Sequence, residues 1–123
     1  MRFIPTRIHG VIDYVMGVLF IVLPWLLGFA RGGAETWVLV IVGAAIIIYS
    51  FFTDYELGAV KALSMRVHLW LDALGGLFLG FSPWIFGFEE LGPAAELFWL
   101  LGVLEIAIAL FTETSPAARR AAR

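Results

Sequence analysis

The sequence predicts an all-α membrane protein: four transmembrane helices built as two parallel-related helical hairpin repeats, with the N and C termini cytoplasmic. Three observations carry this expectation. Hydrophobic residues make up 62% of the 123 residues and charged residues 15%, against roughly 45–50% and about 25% in soluble domains. A soluble chain this short has too much surface for its volume to hide that many apolar side chains. The apolar residues also fall in four continuous runs of spanning length rather than in alternation, and such runs suit helices in lipid better than strands. Finally, the chain is one unit written twice. HGVIDYVMGVLFIVLPWLLGF, starting at His9, recurs as HLWLDALGGLFLGFSPWIFGF, starting at His68. Arg7, His9, Asp13, Gly17, Pro24, Trp25, Gly28 and Phe29 match Arg66, His68, Asp72, Gly76, Pro83, Trp84, Gly87 and Phe88 at one constant offset. The register continues without a gap through Gly43, Phe52 and Thr53 onto Gly102, Phe111 and Thr112, and about 13 of 51 aligned pairs are identical.

The whole chain, 1–123, therefore reads as a single membrane domain, with repeat 1 over residues 7–57 and repeat 2 over residues 66–116. Residues 1–6 form a basic lead in which Pro5 favours a helix start just after it. The first span is expected over 8–29. A signal-peptide reading of this segment is disfavoured by Asp13, by the Pro-Trp pair and by its recurrence mid-chain. Residues 30–35 (ARGGAE) form a glycine-rich turn, and the second span covers 36–53. The polar middle, 54–66, links the repeats, and the spacing of Leu57, Val60 and Leu63 suggests a short surface helix there. The third span is expected over 67–88, a turn over 89–95, the fourth span over 95–112, and a frayed basic tail after it.

Arginine and lysine set the orientation. Arg2, Arg7, Lys61, Arg66, Arg119, Arg120 and Arg123 lie on one side, and only Arg31 on the other. The positive-inside rule then puts both termini and the middle loop in the cytoplasm. Each repeat enters from the same side, so the two are related by an axis along the membrane normal. The expected location is the bacterial cytoplasmic (inner) membrane, as a multi-pass protein. The expected partners are the lipid bilayer and a homo-oligomer or another membrane protein. No basic cluster with interleaved aromatics points to nucleic acid, and the absence of cysteine excludes thiolate chemistry.

His9 and Asp13 stand four apart, as do His68 and Asp72, so each pair shares a helix face. Gly17 and Gly76 extend those faces by another four, and Gly80 extends the second again, giving a small-xxx-small spacing there. By the internal symmetry these four polar residues form a candidate cluster near the cytoplasmic end. One reading is structural: each aspartate pairs with histidine, and Arg7 and Arg66 anchor the interface. The other is a site. Two imidazoles and two carboxylates suit a divalent zinc, iron or manganese ion, His9 and His68 suit the axial positions of a haem, and all four suit a proton or ion path. No cofactor is favoured at this point. Pro24-Trp25 and Ser82-Pro83-Trp84 lie at the outer ends of spans one and three. There Ser82 could cap a new turn with Pro83 at its first position, and the tryptophans suit the headgroup level. An aromatic groove of Trp25, Trp84, Phe29 and Phe88 is the alternative. Glu105 is an intramembrane acid whose matching residue is Ile46, so the two halves are not equivalent.

The motif Ser82-Pro83-Trp84, with His68 and Asp72 upstream and Gly87-Phe88 after it, resembles the SPW repeat family of small bacterial membrane proteins. The first copy reads Leu23-Pro24-Trp25, so any role needing the Ser82 hydroxyl belongs to the second half. The resemblance runs from about Arg7 to Thr112. It implies two helices per repeat and brings no established activity with it. The functional expectation is a non-enzymatic structural or partner-binding membrane module. The alternative is a transporter, an ion or proton pathway, or a metal- or haem-binding membrane protein using the duplicated His-Asp cluster.

Overall fold

The structure, a computed structural model, describes residues 1–121. Four long helices carry the fold: α1 (Thr6–Leu26), α2 (Ala34–Phe51), α3 (Met65–Ile85) and α4 (Pro93–Phe111). A short 3₁₀ turn over Glu89–Leu91 precedes α4, and a short helix α5 (Ala117–Ala121) stands where a frayed tail was expected; residues 122–123 lie outside the described residues. Among the described residues there is no strand, only two isolated bridges. Three of the long helices, α1, α2 and α4, are long and apolar enough to cross a membrane.

Local chemistry sets the helix starts. Pro5 precedes α1 and Pro93 opens α4 at the position where a missing N–H costs nothing. Gly33 precedes α2, with Glu35 in its first turn accepting from Gly33 N at 3.2 Å, on the electropositive end of the helix. Ser64 caps α3, its Oγ accepting from Val67 N at 3.2 Å.

The ends correct the expected spans. α1 stops at Leu26 and α3 at Ile85, three residues before the expected ends at 29 and 88. Gly28 and Gly87 adopt φ of 77° and 75°, the left-handed conformation that glycine takes without strain. The next residue then reaches back: Phe29 N donates to Pro24 O at 2.9 Å and Phe88 N to Pro83 O at 2.8 Å. This turns Phe29 and Phe88 into the core, both against Phe98, with ring centroids 6.0 and 4.9 Å away. Ser82 is not the cap of a new turn. It sits inside α3, and its Oγ donates to Leu79 O at 2.6 Å. That is the carbonyl to which residue 83 would donate if it were not proline, so the hydroxyl supplies the hydrogen bond that Pro83 cannot make. No helix forms over the middle segment. Residues 54–64 instead fold back, with Asp54 N donating to Leu63 O at 2.7 Å and Leu63 N to Phe52 O at 2.8 Å.

Each hairpin packs closely on itself, α1 on α2 and α3 on α4. Glycine permits this. A Cβ at Gly43 would lie 2.6 Å from Gly17 O, and one at Gly76 2.7 Å from Gly102 O, so the backbones touch where a side chain has no room. The core around Phe20, Leu39, Leu79 and Phe98 fills the half nearer the two hairpin turns, and a smaller cluster of Tyr55, Met65, Leu69 and Ala109 lies at the other end. Contacts made by the first half recur in the second at the sequence offset. The bridge between Thr53 and Leu63 is matched by one between Thr112 and Ile4. The N-terminal lead thus does for α4 what the middle segment does for α2, and the chain closes on itself.

Candidate functional site

The four polar residues singled out by their spacing come together. α1 presents His9 and Asp13 one turn apart, and α3 presents His68 and Asp72 in the same way. All four are buried, at 1, 3, 0 and 2% exposure. One ligand atom from each lies within 4.8 Å of the others. His9 Nε2 is 3.1 Å from Asp13 Oδ1 and 2.8 Å from Asp72 Oδ2. His68 Nε2 is 3.0 Å from Asp13 Oδ2 and 3.3 Å from Asp72 Oδ2. Each imidazole therefore faces one carboxylate of its own helix and one of the other. Among the described residues the ion pairs of these carboxylates are to the two histidines. Arg7 and Arg66, expected to anchor the interface, are exposed instead.

Two threonines fix which way the imidazoles face. His68 Nδ1 lies 2.8 Å from Thr53 Oγ1, and His9 Nδ1 2.8 Å from Thr112 Oγ1. Each hydroxyl spends its single proton on its own helix: Thr53 Oγ1 donates to Tyr49 O and Thr112 Oγ1 to Ile108 O, both at 2.6 Å. A hydroxyl has one hydrogen to give, so toward the imidazole it accepts, and Nδ1 carries the proton in both histidines. This leaves both Nε2 atoms pointing at the carboxylates. With Nδ1 already protonated, the 2.8 Å hydrogen bond of His9 Nε2 to Asp72 Oδ2 needs a second ring proton, which Nε2 donates and which an ion would have to displace. His68 Nε2, fully buried, lies 3.0 Å from Asp13 and 3.3 Å from Asp72 without an aligned hydrogen bond.

Two phenols hold the carboxylates from behind. Tyr55 OH donates to Asp13 Oδ2 at 2.7 Å, and Tyr49 OH donates to Asp72 Oδ1. Their rings stand 5.3 and 4.9 Å from that of His68. Tyr55 lies in the middle segment, where burial and the charge of Asp13 push its phenol well above the usual range and keep it a donor. The tyrosines break the internal symmetry, since the matching positions are Ile108 and Thr114. Spacing could not point to them. The threonines did leave a signal, because both recur at the repeat offset.

The remaining candidates are spread out. Glu105 is buried and shares the wall of a cavity of about 80 Å³ with Asp72, Tyr49 and Gly75. Trp25 and Trp84 are exposed, while Phe29 and Phe88 are buried, so the four do not line one groove. Pro24 and Pro83 lie inside their helices and shape the turns described above.

The donor set is two imidazole nitrogens and two carboxylates, each oriented by an outer hydrogen bond, the arrangement that positions metal ligands. A tetrahedral ion with bonds of about 2.0–2.1 Å places neighbouring ligand atoms about 3.4 Å apart. The four His–Asp separations, 2.8–3.3 Å, are close to that spacing, while the widest-set of the four ligand atoms, up to 4.8 Å apart, would have to draw in by more than an ångström. A haem does not fit. The carboxylates of Asp13 and Asp72 occupy the space between the two Nε2 atoms, at 2.8–3.3 Å from them, and the cavity beside them, at about 80 Å³, is far below the roughly 300 Å³ of the smallest cofactor pockets.

No curated protein and no solved structure matches the chain. The SPW repeat domain matches residues 7–112, nearly the whole chain and the same two hairpins that meet at the His-Asp centre, and the protein therefore belongs to the SPW repeat family.

Proposed function

We propose that this small membrane protein is a non-enzymatic, four-span protein of the bacterial inner membrane that holds a divalent transition-metal ion at His9, Asp13, His68 and Asp72. The observation that carries the reading is the orientation of the two histidines. Each Nδ1–H is committed to a threonine, and both Nε2 atoms converge on the same two carboxylates at 2.8–3.3 Å. A set of two imidazoles and two carboxylates suits zinc, iron(II) or manganese(II). Two carboxylates neutralise a divalent ion, which favours such an ion in a low-dielectric interior. The cavity of about 80 Å³ that reaches Asp72 is too small for an organic substrate, which supports a non-enzymatic role.

The membrane reading extends to α3. Its mean hydropathy is lowered by His68, Asp72 and Ser82, which face inward, while Trp70, Leu74, Leu77 and Phe81 on its outer side are exposed. That outer face suits lipid as well as those of the other three helices do. The distribution of arginine and lysine favours cytoplasmic termini and two repeats in parallel.

A second reading is that the quartet only fastens the two hairpins. The pairs His9–Asp72 and His68–Asp13, which cross between hairpins, favour it. One experiment separates the two. Protein purified in mild detergent is equilibrated with zinc, iron(II) or manganese(II), desalted, and assayed for metal and visible absorption beside the His9→Ala/His68→Ala variant. Near-stoichiometric metal lost in the variant is expected. Metal-free wild type would leave the fastening role.

A further inference from the structure

A second polar feature lies outside the His-Asp centre. A cleft of about 300 Å³ opens between the start of α3 and the end of α4. Arg2 and Arg66 stand at its polar end, and Leu69, Trp70, Ala73 and Leu110 form its apolar wall. No acidic side chain lines it. Arg2 is held in place, with Nη1 donating to Ala109 O at 2.9 Å and Thr112 O at 2.7 Å. Its Nε and Nη2 remain as donors. Arg66 is exposed, and Trp70 is 69% exposed on the rim.

Internal symmetry shows why the cleft is open. In the first repeat the positions matching Leu69 and Ala73 are Gly10 and Tyr14. There the chain fills the space itself. The Leu57 side chain lies over Gly10, where a Cβ would come within 2.5 Å of Leu57 Cδ1, and Tyr14 OH donates to Leu57 O at 2.9 Å. The residue matching Leu57 in the second repeat is Pro116, which does not line the cleft. The second half thus keeps an apolar slot, with two guanidiniums at its mouth, at the place where the first half seats a leucine.

We propose that this cleft binds one anionic phospholipid, its phosphate between Arg2 and Arg66 and the upper part of one acyl chain along Leu69, Trp70, Ala73 and Leu110. Guanidinium forks match phosphate oxygens. Basic pockets between helix ends on the positively charged side of a membrane protein select acidic headgroups, and an exposed tryptophan at that level suits the interface. The proposal needs α3 and α4 to end at a membrane surface and does not depend on metal at the His-Asp centre.

The test uses full-length protein in mild detergent, with lipid binding followed by native mass spectrometry against phosphatidylglycerol and phosphatidylcholine. Wild type is expected to retain one phosphatidylglycerol in preference to phosphatidylcholine. Arg66→Gln should lower that preference roughly fivefold, whereas Arg7→Gln, the same charge change at the matching exposed position, should leave it unchanged. Ala73→Phe keeps both arginines and fills the slot, and should displace the lipid while thermal stability is retained. Equal losses in Arg66→Gln and Arg7→Gln would reduce the effect to diffuse charge and overturn the site. Retention of lipid in Ala73→Phe would overturn it too. Displacement of the lipid by millimolar inorganic phosphate would assign the arginines to a free anion instead.

Discussion

His9 Nδ1 lies 2.8 Å from Thr112 Oγ1, so a residue near the start of the chain is oriented by one near its end. The same bond, His68 to Thr53, joins the other two helix ends. Removing either acceptor frees a buried imidazole to rotate or change tautomer. Thr112→Val is expected to weaken metal binding by about 10–100-fold and to destabilise the fold by about 1–3 kcal/mol, because it leaves a buried donor unpaired. Thr112→Ser should restore both. Isothermal titration with zinc and thermal unfolding in detergent measure the two effects. A loss of stability with unchanged affinity would make the threonines fasteners only.

Adjacent glycines on α3 should respond in opposite directions. A Cβ at Gly75 meets nothing within 4 Å, whereas one at Gly76 falls 2.7 Å from Gly102 O. Gly75→Ala is therefore expected to stabilise by about 0.5–1 kcal/mol through helix propensity. Gly76→Ala is expected to cost about 1–3 kcal/mol by forcing α3 and α4 apart. Equal responses in unfolding experiments would contradict the close crossing at Gly76.

Residue spacing made the His-Asp cluster legible because duplication marked it twice: a pair four apart on one helix says little, and the same pair at the repeat offset implies that the two faces meet. Thr53 and Thr112 carried the same mark, but a repeated threonine does not reveal that its proton goes to its own helix. Tyr49 and Tyr55 were not legible, because their partners in the second repeat are Ile108 and Thr114 and their reach to the aspartates depends on how the middle segment folds. The helix ends were misplaced at Phe29 and Phe88 for a related reason. An apolar residue after a glycine reads as more span, and only tertiary packing on Phe98 turns it inward.

Ser82 offers a local test of how α3 tolerates Pro83. Its hydroxyl satisfies Leu79 O, which otherwise faces an apolar interior with no donor. Ser82→Ala should cost about 1–3 kcal/mol, and Ser82→Thr, which keeps the hydroxyl, should lose much less. If both variants unfold together, the cost lies in packing rather than in the hydrogen bond.

The proposed crossing of the membrane by α3 predicts a topology. Arg31 and Glu90 lie in the two turns at one end of the hairpins, and Val60 lies in the middle segment. Arg31→Cys and Glu90→Cys should react with an impermeant maleimide from the periplasmic face, and Val60→Cys only after the cytoplasmic face is opened. Labelling of Arg31→Cys and Glu90→Cys from opposite faces would remove α3 as a span.

Comparing single and collective substitution separates the two roles of the quartet. Asp72→Leu leaves His9 and His68 without half of their carboxylate partners and Tyr49 OH without its acceptor. Breaking one member of a buried charged group typically costs about 3–5 kcal/mol, and the variant should also lose metal. Replacing the whole group removes the debt along with the interaction. With His9, Asp13, His68 and Asp72 all changed to leucine, and Tyr49 and Tyr55 to phenylalanine, the quartet and the phenols that hold it are removed together, and Glu105, on the wall of the neighbouring cavity, is changed to glutamine in the same protein. Thr53 and Thr112 stay satisfied, since each hydroxyl already donates to its own helix. Apolar replacement of a complete buried ionic group is often neutral or stabilising. The sevenfold variant is therefore expected to fold at least as stably as wild type, as judged by thermal unfolding in detergent, while binding no metal. That outcome would mean the hairpins do not need the quartet to stay together, which leaves the metal ion as the reason for burying it. A sevenfold variant that expresses but fails to fold would instead make the four charges the fastening between the two halves.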